Sequence, residues 1–448
     1  MKYSYVFFSI VFLLHIINTV FPSNIMTFSL GILACLVFVY SFIYANKLFK
    51  LLGASFFLIG FTLFWTTDLT FMQLIPMFAD NLSMLTLLAV LPWMNSAVTA
   101  ARFDKLMQNL LRGNVQHLGA LYQRSTTAMM ALTAFLNVSS ATIAQDVLVD
   151  NLKPIHKKLA NKFIMMITLR GYSLALPWSP LEVLLAMAIF ITGVNYGTLL
   201  PWMIFITIIM YILDNVWGRW YFKKIPYPVQ TDVHVSHKPI KKKLVQLISG
   251  LVGFLLCVIL AGLFFEMEFI FIVTILVFPF ATIWAFLLKR LRSYWTIGWN
   301  KWRNSMNGMH NFNVLFVTLA IFTGCLNASP ALQFIQKPIL YVADYPFLIL
   351  MMIQLLFMVM SMFGVHPIAT MGVLSGISAM LIDILNPLSL AIVLVIAGVS
   401  TVPVGTYGLV VTITSMSLRQ SPYLITYYNL LYSFVFGFVG ILIAYLLL

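Results

Sequence analysis

The stretch AFLNVSSATIAQDVLVDNL, Ala134 to Leu152, decides how this chain is threaded. An apolar lead-in is interrupted by Asn137, Ser139, Ser140 and Thr142. Basic residues stand on both sides, Arg124 before it and Lys153, Lys157 and Lys158 after it. Residues 125–150 are long enough for one tilted span, which needs about 20 residues. A single pass would put Lys153, Lys157, Lys158 and Lys162 outside, and the basic residues of 218–243 with them. A hairpin that enters and returns keeps both flanks inside. Every Lys and Arg except Lys337 and the intramembrane Arg170 is then cytoplasmic, as the positive-inside bias favours. The hairpin tip is the polar knot at 137–142. Irregular backbone at membrane depth must be buried in protein or line a wet cavity, so the tip is expected to face a cavity.

The rest of the composition agrees with a membrane location. Of 448 residues, 62% are hydrophobic and 8% charged, against about 25% charged in a soluble protein. Apolar runs near span length recur throughout. A barrel is excluded, because its strands are short and alternate, and no charged segment is long enough to build a large soluble core. The net charge of +14 sits in short loops, which points to topology and not to nucleic acid. Cys35, Cys257 and Cys325 lie in or beside apolar runs and read as packing residues. His234 and His237 lack further metal ligands. Residues 4–22 read as a first span and not as a signal peptide, since no small-residue cleavage site follows.

The expected architecture is an all-α polytopic membrane protein of about eleven transmembrane helices plus two re-entrant hairpins in an inverted repeat. Residues 1–100 hold N-terminal scaffold helices. Residues 101–217 are a first repeat, opening with an amphipathic segment over 101–124. It has a hairpin near 125–150 and a broken helix near 163–196. A cytoplasmic linker at 218–243 leads to second scaffold helices at 244–332. Residues 333–448 form the second repeat, with a hairpin near 346–382 and a broken helix near 384–418. The repeat is read from three pairings. Ala141-Thr142 matches Ala369-Thr370, Gly171 and Ser173 match Gly398 and Ser400, and Pro177 matches Pro403. A rival pairing of SPLEVLLA with NPLSLAIV does not align the hairpins. Proline breaks a helix, and freed backbone groups at such breaks can bind ions and solutes.

The tip Asn137-Val138-Ser139-Ser140-Ala141-Thr142 and the broken spans at 171–180 and 398–407 resemble the ion transporter superfamily, in particular its divalent-anion/sodium symporter and arsenite-pump branches. The first tip is similar to the Ser-Asn-Thr tip of that family. The second, Gly364-Val-His-Pro-Ile-Ala-Thr370, departs from it. The resemblance implies an N-terminus inside, a C-terminus outside, and an elevator-like motion of the hairpin domain against a homodimeric scaffold.

Candidate substrate- or ion-binding residues follow from the tips and breaks: Asn137, Ser139, Ser140, Thr142, Ser173, Ser179, His366, Thr370, Ser400, Thr401 and Thr406. Each hydroxyl or amide can instead cap a half-helix. His366 can bind an anion or carry a coupling proton, or it can fix the turn. Arg170 is an intramembrane charge and so a functional candidate. It can neutralise a substrate, pair with Glu182, or snorkel to the interface near Lys162. Glu182 and Asp146 are candidate coupling carboxylates. No metal site and no cofactor are expected beyond a coupling ion, Na+ or H+. No nucleotide-binding loop occurs, which argues against an ATP-driven pump. The expected activity is secondary transport of a small anionic solute across a bacterial cytoplasmic membrane. A transporter of a lipid or lipid-linked precursor on the same scaffold is the alternative, and a membrane-embedded transferase a third. Besides the solute, the expected partners are membrane lipids and a second copy of the chain, with no nucleic acid.

Overall fold

The computed structural model describes residues 3–102, 117–227, 237–265, 267–333, 337, 341–406 and 408–448. Most of the amphipathic segment expected at 101–124, and much of the 218–243 linker with His234, lie outside the described residues. The chain is an all-α polytopic membrane protein. In chain order the helices are α1 Ser4–Val20, α2 Asn24–Tyr44, α3 Lys47–Phe64, α4 Phe71–Met77, α5 Leu82–Ala100, α6 Leu118–Leu136, α7 Val138–Asn151, α8 Lys157–Ala175, α9 Val183–Thr192 and α10 Tyr196–Phe222. They continue as α11 His237–Phe264, α12 Phe269–Leu287, α13 Leu291–Asn307, α14 His310–Ala328, α15 Pro346–Met362, α16 Pro367–Ser375, α17 Ser378–Ile384, α18 Pro387–Ser400, α19 Leu409–Leu418 and α20 Pro422–Leu446. Eight helical stretches among the described residues are long and apolar enough to cross a membrane. Five shorter apolar helices of 10–17 residues accompany them, α1, α9, α15, α18 and α19. The pair α16 and α17 is bent by 77°.

The chain divides into two compact units. The first comprises Met1–Ser96, Glu266–Ile349 and Met371–Asn386. Its centre is α14, packed on α2 and α3. Small residues let these helices close up, as expected where lipid supplies no hydrophobic drive between helices. A Cβ on Gly60 would stand 3.0 Å from the Phe322 backbone, and the rings of Phe56 and Phe322 lie 5.3 Å apart. Polar groups are satisfied locally, for example Asn81 Nδ2 donating to the Phe316 carbonyl at 3.1 Å.

The second unit comprises Ala97–Phe265, Leu350–Thr370 and Pro387–Leu448, and helix direction within it can be read from contacts. Tyr122, Met129 and Ala134 of α6 meet Arg170, Gly171 and Ser179 in that order, so α6 and α8 run the same way. The intervening α7 therefore returns the chain, and α6–α7 is a re-entrant hairpin. Its tip is Asn137, with φ 45° and ψ −130°. Helix α10 runs against α6: Gly119 faces Arg219, Tyr122 bonds Asp214, and Thr127 bonds Tyr211. The Leu118 N–H also donates to the Ile225 carbonyl at 3.0 Å, so the start of α6 and the end of α10 share a side. Helix α20 runs with α8, since Arg170 meets Asn429 and Ser173 meets Tyr432. Helix α18 runs against α20, with Ser389 on Ala444 and Thr426 on Val404. Thus α8 and α18 are opposed, and so are α10 and α20.

Candidate functional site

The first tip is a turn that few L residues tolerate. Asn137 is near φ 45°, ψ −130°, close to the first central position of a type II′ turn, where glycine is favoured. Its side-chain oxygen accepts from the Tyr172 hydroxyl on α8. Ser140 Oγ is buried, donates to the Asn137 carbonyl at 2.5 Å and lies 2.8 Å from Thr133 Oγ1. Ser140 is therefore a cap for the turn. Thr142 bonds the Ser139 carbonyl, and Thr142 and Asp146 share the exposed face of α7.

Each tip lies against its own broken span. The first break, between α8 and α9, touches the first hairpin through Ser179 Oγ, which donates to the Ala134 carbonyl at 3.2 Å. Glu182 caps α9, its Oε1 accepting from the Leu184 N–H at 3.4 Å. The second tip turns at Gly364, φ 85°. Ser361, at the end of α15, reaches the Thr401 carbonyl at 3.4 Å, and a Cβ on Gly405 would stand 2.8 Å from Ser361 Oγ. The two breaks meet in turn, because Leu184 at the start of α9 packs on Gly398 near the end of α18, 3.3 Å from where its Cβ would be. Tip, break, break and tip thus form one continuous run inside a single unit.

Several predicted hydroxyls turn out to be spent on their own helices. Ser173 donates to the Arg170 carbonyl, Ser400 to Ala397 and Thr401 to Gly398, at 2.9, 3.0 and 2.7 Å. Thr406 Oγ1 lies 3.4 Å from Thr426 Oγ1. His366 precedes α16, and its Nδ1 accepts from the Ile368 N–H at 3.3 Å, a turn-fixing bond. Thr370, one turn on, is buried with a hydroxyl that has no hydrogen-bond partner among the described residues.

Arg170 neither pairs with Glu182 nor snorkels. It is 4% exposed and bonds Asp214 at 2.8 Å, Asn429 Oδ1 at 3.1 Å and the Tyr428 carbonyl at 2.9 Å. Its guanidinium lies 4.8 Å from the Trp217 ring and 5.1 Å from the Tyr432 ring. Asp214 also accepts from Tyr122 at 2.9 Å. The pair ties α6, α8, α10 and α20 together. Sequence reasoning missed Asp214, Tyr122 and Asn429, although an aspartate inside the apolar run YILDNVW is itself a signal. It also missed two buried glutamines. Gln145 Nε2 donates to Thr414 Oγ1 at 2.7 Å and Gln354 Nε2 to Ser400 Oγ at 2.9 Å. The Oε1 of each has no partner among the described residues.

The fold is similar to that of the YdaH transporter of Alcanivorax borkumensis. The TM-score is 0.62 at 14% sequence identity, over 89% of this chain and 96% of that one. At that identity the likeness concerns the fold. No protein-family model matches the sequence, and no curated protein does.

Proposed function

We propose that the protein is an ion-coupled secondary transporter that moves a small anionic solute by alternating access. The observation that carries this reading is the continuous run of two hairpin tips and two helix breaks within one unit. Such breaks leave half-helix ends and backbone groups unpaired at membrane depth, which is how transporters hold ions and polar solutes. The transporter fold neighbour supports the same reading. In this reading the two opposed sets of helices are an inverted repeat, related to the ion transporter superfamily. The solute is held by tip and break residues, with Thr370, Gln145 and Gln354 supplying polar atoms that have no partner among the described residues. Na+ or H+ is the coupling ion, with Glu182 or Asp146 as the carboxylate for a proton. The membrane is the bacterial cytoplasmic one, with the N-terminus inside and the C-terminus outside, and a homodimer of the first unit is the scaffold.

The test is ligand-induced thermal stabilisation of the purified protein over a panel of anions, with and without sodium, at two pH values. A ligand that binds only the folded form raises the apparent stability. Hits are then carried to uptake in proteoliposomes. A soluble anion that stabilises and is taken up down an imposed Na+ or pH gradient supports the proposal. No shift with any soluble anion, together with stabilisation by a lipid-linked sugar, would replace it with transport of a lipid-linked precursor.

A further inference from the structure

Helix α13 is unlike the other long helices of the first unit. It connects α12 to α14, both of span length, and is about 26 Å long at 1.5 Å per residue. Lys289, Arg290, Arg292, Lys301 and Arg303 lie in it or just before it, and no acidic residue occurs between Glu268 and Asp344. It cannot itself be a span, so it lies at the membrane surface between two spans.

Its inner face is fixed by aromatic packing. Tyr294, Gly298, Trp302 and Met306 follow one another at four-residue steps. The Trp93 ring of α5 lies so close to Gly298 that a Cβ there would collide with it. Trp93 is 5.6 Å from Tyr294 and 6.3 Å from Trp302, ring to ring. The Tyr5 N–H donates to Asn307 Oδ1 at 2.9 Å, and the Arg303 guanidinium lies 5.3 Å from the Tyr5 ring. The outer face is different. Trp295 and Trp299, one turn apart, are 44% and 48% exposed, each with one edge held by the inner cluster, Trp295 at 5.4 Å from the Trp93 ring and Trp299 at 6.4 Å from the Tyr5 ring. Lys289, Arg290 and Arg292 are exposed beside them. The two ion pairs among the described residues lie elsewhere, at Lys153–Asp150 and Arg170–Asp214.

We propose that this outer face binds the headgroup of an anionic phospholipid. Lys289, Arg290 and Arg292 meet the phosphodiester, and Trp295 and Trp299 sit at the boundary of headgroup and acyl chain. Tryptophan has an apolar body and one N–H donor, which suits that boundary. Clustered cations beside a span are attracted to anionic lipid and are screened by salt. The rigid inner face keeps both kinds of group at one height.

The experiment uses the full chain purified in neutral detergent. Thermal unfolding is followed with added phosphatidylglycerol, phosphatidylcholine or soluble glycerol 3-phosphate, at low and high salt. The variant is Lys289→Gln/Arg290→Gln/Arg292→Gln. The control, Lys153→Gln/Lys157→Gln/Lys158→Gln, removes equal charge from exposed positions at the start of α8 and just before it. Phosphatidylglycerol is expected to raise the unfolding temperature of the wild type by several degrees at low salt and less at high salt. The other two additives should not. The variant should lose most of the shift and the control should keep it. Should the triple variant fail to fold, Arg292→Gln is read in the same way. Phosphatidylglycerol that co-purifies with the protein, measured by mass spectrometry, is expected to fall in the variant and not in the control. Equal losses in variant and control, no shift in the wild type, or an equal shift with glycerol 3-phosphate would each overturn the proposal.

Discussion

At the scale of the residue, Arg170 and Asp214 show how burial changes the meaning of a charge. Removing one member of a buried pair leaves the other uncompensated, at a cost of about 3–5 kcal/mol. Arg170→Ala should therefore sharply lower the unfolding temperature in detergent. Arg170→Met combined with Asp214→Leu should recover much of the loss, because replacing a buried pair with apolar groups is often near neutral. An Arg170→Ala protein as stable as wild type would show that the clamp is unimportant. Thr370 presents the opposite case. Its buried hydroxyl has no protein partner among the described residues, and an unmade hydrogen bond is costly. Thr370→Val should leave stability unchanged or raise it, while abolishing stabilisation by the transported solute. Ser140→Ala, by contrast, should cost about 1 kcal/mol through loss of its hydrogen bond to the turn. If Thr370→Val instead destabilises the protein and keeps the ligand shift, Thr370 is a packing residue.

At the scale of the element, the first hairpin depends on one backbone conformation and one close approach. Glycine adopts the Asn137 geometry without the Cβ penalty. Asn137→Gly is therefore expected to keep or raise the unfolding temperature while removing the bond from Tyr172. Transport lost from a protein of undiminished stability would assign the amide a part in binding. Transport retained would confine Asn137 to the turn. At the other end of α6, a Cβ on Gly119 would run into the Arg219 carbonyl, which is backbone and cannot rotate away. Gly119→Ala should cost about 1–3 kcal/mol, the usual range for overpacking, measurable as a lower unfolding temperature. The hairpin itself is legible in the sequence, because charge bias and a polar tip are written locally in the chain. So are the breaks, where Pro177, Gly398 and Pro403 interrupt apolar runs. The roles of side chains are less so. Serine and threonine in helices readily bond a carbonyl one turn back, and nothing in the sequence tells whether Ser173, Ser400 or Thr401 does this or faces a solute. Nor can a sequence reveal that the partners of Arg170 lie at 214 and 429 when a carboxylate stands nearby at 182.

At the scale of the whole molecule, helix direction turns these contacts into a topology. Because α6 and α8 are parallel, their starts share one membrane face. Helix α10 is antiparallel to α6, so its end returns to that face, where Leu118 bonds Ile225. Helix α20 is parallel to α8, so it starts on the same face and ends on the other. Lys153, Lys157, Lys158, Lys223 and Lys224 all belong to the shared face, and in the proposed orientation the positive-inside bias makes that face cytoplasmic. Single cysteines test this in a background where Cys35, Cys257 and Cys325 are replaced by serine or alanine. Lys157→Cys and Lys223→Cys should react with an impermeant maleimide only after the membrane is opened, and Leu448→Cys in intact cells. Labelling of Lys157→Cys and Lys223→Cys from opposite faces would make α8 and α10 run the same way, which the contacts of both helices with α6 forbid. Labelling of all three from one face would reverse α20 relative to α8. The bonds from Arg170 to Asn429 and from Ser173 to Tyr432 could then not both form, and the opposed helix sets on which the transport reading rests would be lost with them.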